Sequence, residues 1–115
     1  MFSKKNISNI PVEGTPHASG SRKLLVSKEE TTSNYFEAMT YGYLPAGEKW
    51  LMHKHENIVE ICLVIKGSGV IRNTEGETEI FARGDRFIFP SSTEHELENT
   101  SSETSEFYFF RLQDK

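Results

Sequence analysis

Short apolar runs, rich in β-branched and aromatic residues, recur along this chain between clusters of glycine, proline and small polar residues. No stretch carries a trustworthy apolar stripe at helical spacing, so the pattern predicts strands. The clearest is Val59–Lys66 (VEICLVIK). Others are predicted at Arg22–Ser27, Tyr35–Leu44, Leu51–His55, Val70–Asn73, Glu77–Ala82, Arg86–Pro90, His95–Asn99 and Ser105–Leu112. Lys28–Asn34 reads as a polar loop, and Gly42 inside an aromatic strand signals a bulge or a close backbone approach. Gly67-Ser68-Gly69 predicts a tight reversal, Thr74-Glu75-Gly76 a hairpin turn, and Arg83-Gly84-Asp85 a further turn. Eight or nine short strands at near-regular spacing predict an all-β sandwich or barrel.

Before the first strand, residues 1–20 show little periodicity and hold Pro11, Gly14, Pro16 and Gly20. They read as an N-terminal arm, either flexible and wrapping or an edge strand that pairs with a second subunit, with residues 21–115 forming a single domain. His17, among small residues, reads as a surface histidine. The 115 residues suit one core. The formal charge of −4 and the absence of a basic stripe argue against nucleic acid as a partner. One cysteine, Cys62, excludes an internal disulfide and fits a reducing compartment. The N-terminus lacks the apolar run of a secretory signal, and no stretch has the length of a membrane span, so the expected location is cytoplasmic.

The chemistry concentrates in residues 47–67, GEKWLMHKHENIVEICLVIKG. Residues i and i+2 of a strand share a face, so His53 and His55 would present two imidazoles side by side. A turn at Glu56-Asn57 would bring Glu60 back beside them on the returning strand. A further histidine, His95, opens another strand. Imidazoles and a carboxylate converging from neighbouring strands suit a first-row divalent metal.

These same residues carry a resemblance to the cupin family. Its first motif, G-x5-H-x-H-x4-E-x6-G, is matched by Gly47, His53, His55, Glu60 and Gly67. Its second, G-x5-P-x-G-x2-H-x3-N, is matched by Gly84, Pro90, His95 and Asn99, with Ser92 in place of the motif glycine. The resemblance spans about half the chain. It implies a cupin-type jelly-roll β-barrel of two antiparallel sheets, open at one end, with His53, His55, Glu60 and His95 as ligands of one divalent transition metal: Mn, Fe, Ni, Cu, Co or Zn. Octahedral coordination by four protein ligands would leave two adjacent positions for water or substrate. Glycine at position 92 would permit a positive φ that serine resists, so a different turn type is expected there, with a small displacement of the loop carrying His95.

Other side chains give weaker signals. Cys62 alternates with Glu60 and should face the interior, as a small buried hydrophobe or as an oxidisable pocket thiol. Arg72, Arg86 and Arg111 lie on predicted strands, and any that points inward could anchor an anionic substrate. Tyr41, Phe89 and the remaining aromatics would divide between core, dimer surface and pocket, where a tyrosine hydroxyl could donate a proton. The resemblance implies a metal-dependent enzyme acting on a small polar or carboxylate-bearing molecule, of dioxygenase, isomerase, lyase or decarboxylase type. The alternative is a non-catalytic small-molecule-binding or sensing module. The last strand, FYFFRL, is more apolar than one small sandwich buries on both faces, which predicts a homodimer.

Overall fold

The computed structural model describes residues 2–16, 19–53 and 56–114. Among the described residues, ten strands form two antiparallel sheets. They are β1 (Glu13–Gly14), β2 (Ser21–Ser27), β3 (Phe36–Leu44), β4 (Lys49–His53), β5 (Ile58–Lys66), β6 (Ser68–Asn73), β7 (Thr78–Ala82), β8 (Arg86–Phe89), β9 (His95–Asn99) and β10 (Ser105–Gln113). The larger sheet runs β1-β2-β3-β10-β5-β8 and the smaller β4-β9-β6-β7. Every strand pair is antiparallel. The all-β expectation therefore holds, and the arrangement is a jelly-roll barrel of two facing sheets.

Alternation sets the faces. Along β5, Glu60, Cys62 and Val64 are buried, and along β9 so are His95, Leu97 and Asn99. Where the sheets face each other, Leu44, Trp50, Cys62, Val64, Ile71, Phe81, Phe89, Leu97, Phe107 and Phe109 form one core. Trp50 and Phe81 pack from the smaller sheet onto Phe107 of the larger, with ring centroids 5.5 and 5.4 Å away. Gly67, between β5 and β6, carries the chain from one sheet to the other. Its φ of 94° and the Ser105 backbone pressed against it leave no room for a side chain. Asn99 closes the same end of the core, opposite Gly69 in the register of the smaller sheet. Its amide donates to the carbonyls of Leu44 and Glu103, and its oxygen accepts from the Ser101 amide and hydroxyl, so this buried polar group is fully satisfied.

Several local expectations are corrected. Lys28–Glu30, read as plain loop, is a single 3₁₀ turn in which the Glu30 carboxylate accepts from the Ser27 backbone amide. A second such turn, Ile7–Asn9, lies in the arm. The arm also contributes β1, which pairs with β2 of its own chain, Glu13 opposite Arg22. Ser92 does not change turn type. It holds the left-handed conformation, φ 64°, that a glycine would take. That backbone costs a non-glycine residue about 1 kcal/mol, and the hydrogen bond from Ser92 Oγ to Glu56 Oε2, 2.8 Å, offsets part of it. Among the described residues no helix is long and apolar enough to cross a membrane.

Candidate metal centre

Three strand ends converge at one mouth of the barrel: the end of β4, and the starts of β5 and β9. The bulge in β4 does the positioning. Trp50 pairs with Leu97 and His53 with His95, so three steps on β4 match two on β9. The extra residue lets Trp50 enter the core while His53 still faces inward, which strict alternation would forbid. Glu60 is 3% exposed and His95 3% exposed, so both are set inside the barrel.

His53, Glu60 and His95 each offer one ligand atom, and these atoms lie within 4.8 Å of one another. His95 Nε2 stands 3.3 Å from Glu60 Oε1, and the His53 and His95 ring centroids are 4.5 Å apart. The other nitrogen of each ring faces a backbone carbonyl: His53 Nδ1 lies 2.8 Å from the Leu51 oxygen, and His95 Nδ1 lies 3.3 Å from the Thr93 oxygen. A carbonyl can only accept, so it fixes the ring proton on Nδ1 and leaves Nε2 with the lone pair, as metal-binding histidines require. Phe89 stacks on the His95 ring, centroids 3.8 Å apart and planes 5° from parallel, which holds its orientation.

The electrostatics agree. Burial alone would raise the Glu60 carboxyl, but His95 and Arg111, whose Nε donates to Glu60 Oε2 at 2.8 Å, outweigh it and hold it down at about 2. Burial likewise lowers the His53 imidazole below its ordinary value. Near neutral pH the site therefore presents an ionised carboxylate and a neutral His53. His95 Nε2 is buried with no hydrogen-bond partner among the described residues. A carboxylate oxygen 3.3 Å from that nitrogen needs a positive charge between them, a proton on Nε2 or a cation bound to both, and a metal ion meets that need while the ring proton stays on Nδ1.

A cavity of about 210 Å³ opens from this cluster. Thr40, Gly42, Phe109 and Arg111 of the larger sheet face Trp50 and Leu97 of the smaller across it, and Arg22, Thr15 and Pro16 close one side. Gly42 explains itself here. A Cβ would meet Phe109 at 3.0 Å and Trp50 at 3.1 Å, so the residue marks a close approach rather than a bulge.

The structure brings together His53, Glu60 and His95 of the expected ligand set. His55 lies outside the described residues, as does His17. Of the expected arginines, Arg111 enters the site. Arg72 does not: it sits on the outer face of the smaller sheet, paired with Glu96 and Glu98 at 3.2 and 2.9 Å. Tyr41 is also turned outward, donating to Glu106 beside Tyr43 and Tyr108. Cys62 is fully buried in the core rather than in the cavity wall, and burial pushes its thiol well above the ordinary range, so the oxidisable pocket thiol is not found. Phe89 serves as a platform behind His95. Sequence reasoning missed Arg22, Thr40 and Trp50. No motif marks them, and Trp50 lies on the face that plain alternation from His53 would turn outward.

A family model described as a cupin domain matches residues 40–111. An uncharacterized protein of Methanocaldococcus jannaschii, MJ1618, is 30% identical over 63 residues, 55% of this chain. The match spans half the length of that relative. Among solved structures, a protein described as a predicted oxalate decarboxylase from Thermotoga maritima superposes with a TM-score of 0.83 at 27% identity, covering 94% of this chain and 96% of its own. Ectoine synthase from P. lautus superposes with a TM-score of 0.82 at 18% identity, covering 96% of this chain and 77% of its own. With the two-sheet barrel, the inward His53, Glu60 and His95, and a family match over more than half its length, this chain belongs to the cupin family.

Proposed function

We propose that the chain is a metal-dependent enzyme acting on a small polar or carboxylate-bearing molecule within the barrel, with His53, His55, Glu60 and His95 holding one ion of Mn, Fe, Ni, Cu, Co or Zn. The observation that carries this reading is the buried His95 Nε2, unpartnered among the described residues and 3.3 Å from an ionised Glu60. Such an ion would supply a Lewis acid or a redox centre. The protein's own groups do the rest. The carbonyls of Leu51 and Thr93 hold the imidazole tautomers, and Arg111 keeps Glu60 ionised and fixed in place. Trp50, Leu97 and Phe109 line the cavity with apolar surface that limits water.

The cavity wall also bears on the reaction type. Apart from the ligand set, its described lining holds no carboxylate, lysine, tyrosine or cysteine to act as acid or base. That favours chemistry carried by the metal, of oxygenase or decarboxylase type, over a reaction that needs a separate protein base. The resemblance to the Thermotoga protein points the same way. The same shortage favours, as a second reading, a module that binds a small molecule without turnover.

The test is an activity screen of metal-reconstituted protein against short carboxylic, 2-oxo and 2-hydroxy acids, with oxygen uptake and product analysis as readouts. Turnover by the wild type, abolished by chelator and by His95→Ala, is the expected result. Saturable binding of the same acids with no product under any metal would overturn the enzyme reading in favour of the binding module.

A further inference from the structure

We infer that Arg22 is the anion anchor of the cavity and that the ligand is a short dicarboxylate, one carboxylate at the metal ligands and the other on the Arg22 guanidinium. This inference rests on the metal-site reading above and specifies its substrate.

Three observations meet here. First, the described lining residues carry two arginines, Arg22 and Arg111, against a single carboxylate, Glu60. Arg111 is paired with Glu60, and Arg22 with Glu13 of the arm just outside the lining, so these four groups cancel. A divalent ion would then leave two positive charges in excess, which a dianion balances. Second, the two cationic ends are separated along the cavity. Arg111 stands in register with Ala38 and with Glu60, whereas Arg22 stands in register with Gly42, two inward-facing positions further along β3. Thr40, buried on the same face, lies between those two positions on the cavity wall. The volume of about 210 Å³ holds about seven waters at liquid density, the scale of a short diacid.

Third, Arg22 is occupied by a group that a carboxylate ligand can replace. Its Nε donates to Glu13 Oε1 at 2.9 Å, and Glu13 is on β1 in the arm. The Glu13 side chain is 48% exposed and that of Arg22 27%. A half-exposed pair of this kind contributes little. The terminal Nη groups have no hydrogen bond among the described residues. A planar guanidinium with its fork open toward a cavity is suited to bidentate capture of a carboxylate. Glu13 then acts as an internal surrogate for the ligand's second carboxylate, holding the arm across the cavity until the ligand displaces it.

The experiment is calorimetric titration of Mn²⁺-loaded protein with succinate and with propionate, metal content being measured in the same samples. The wild type should favour succinate. Arg22→Gln should weaken succinate about tenfold or more while leaving propionate and metal content unchanged, Arg22→Lys should fall between, and Glu13→Gln should tighten succinate about two- to fivefold. Opposite signs for Arg22 and Glu13 are what a merely structural pair cannot give, since breaking such a pair from either side would weaken binding alike. Succinate affinity that ignores Arg22→Gln, or metal-loaded wild type that binds neither acid, would overturn the anchor. A wild type that retains no Mn²⁺ would instead strike the metal-site reading itself.

Discussion

At the scale of single residues, Glu60 binds the site together. One oxygen faces His95 and the other accepts from Arg111, in a setting almost closed to water. Its folded-state value of about 2 lies below the ordinary 4.5, so its contribution is fully present above pH 4.5 and is lost as pH falls toward 2. The size is on the order of 3 kcal/mol. In metal-free protein, urea midpoints measured from pH 6 to pH 2.5 should fall more steeply for the wild type than for Glu60→Gln, which has no carboxylate to protonate. Parallel curves would show that Glu60 gains nothing from His95 and Arg111 in the folded state. The same residue shows how the sequence could be read in part. Glu60 and His95 are visible as ligands because their spacing from other residues is fixed. Arg111 stands out only as one of several strand arginines, and the choice among Arg72, Arg86 and Arg111 depends on which face each strand turns inward.

At the scale of elements, strands were legible because their signal is local: β-branched and aromatic runs bounded by turn residues. β5, β8 and β9 fall within a residue or two of the expected bounds. What was not legible depends on partners across the sheet. The bulge of β4 cannot be seen in KWLMH alone, since it exists only against β9, and it decides that Trp50 shares the interior with His53. β1 is only two residues long and is a strand only because Arg22 and Ser21 lie opposite. The turn from β8 to β9 shows a different limit. Its chemistry was read correctly, a position that favours glycine, but serine there accepts the strained backbone instead of altering the turn. Accordingly Ser92→Gly should exceed Ser92→Ala in stability by about 1 kcal/mol, since alanine keeps the left-handed strain and loses the bond to Glu56. Equal denaturation midpoints for the two variants would contradict that strain.

At the scale of the whole molecule, the inner and outer faces of the larger sheet tell different stories. Inside lie the site and the core. Outside, one register row crosses four strands as Met39, Phe110, Ile61 and Ile88, and the next begins Tyr41, Tyr108, Leu63. Ile88 is 51% exposed. An apolar band of this kind on a sheet face is a surface for association, and the proposed occupant is a second copy of the chain. Light scattering at micromolar concentration should give twice the 13.1 kDa mass, and Ile88→Lys should return the protein to monomer. A wild-type monomer would remove the dimer from the account. The interior claim is more central, because every functional statement depends on it. Elemental analysis of untagged wild type beside His53→Ala/His95→Ala tests it most directly. The account predicts near one equivalent of a transition metal in the first and none in the second, with both proteins folded. No metal in the wild type after reconstitution, or equal metal in both, would contradict a centre built on these residues.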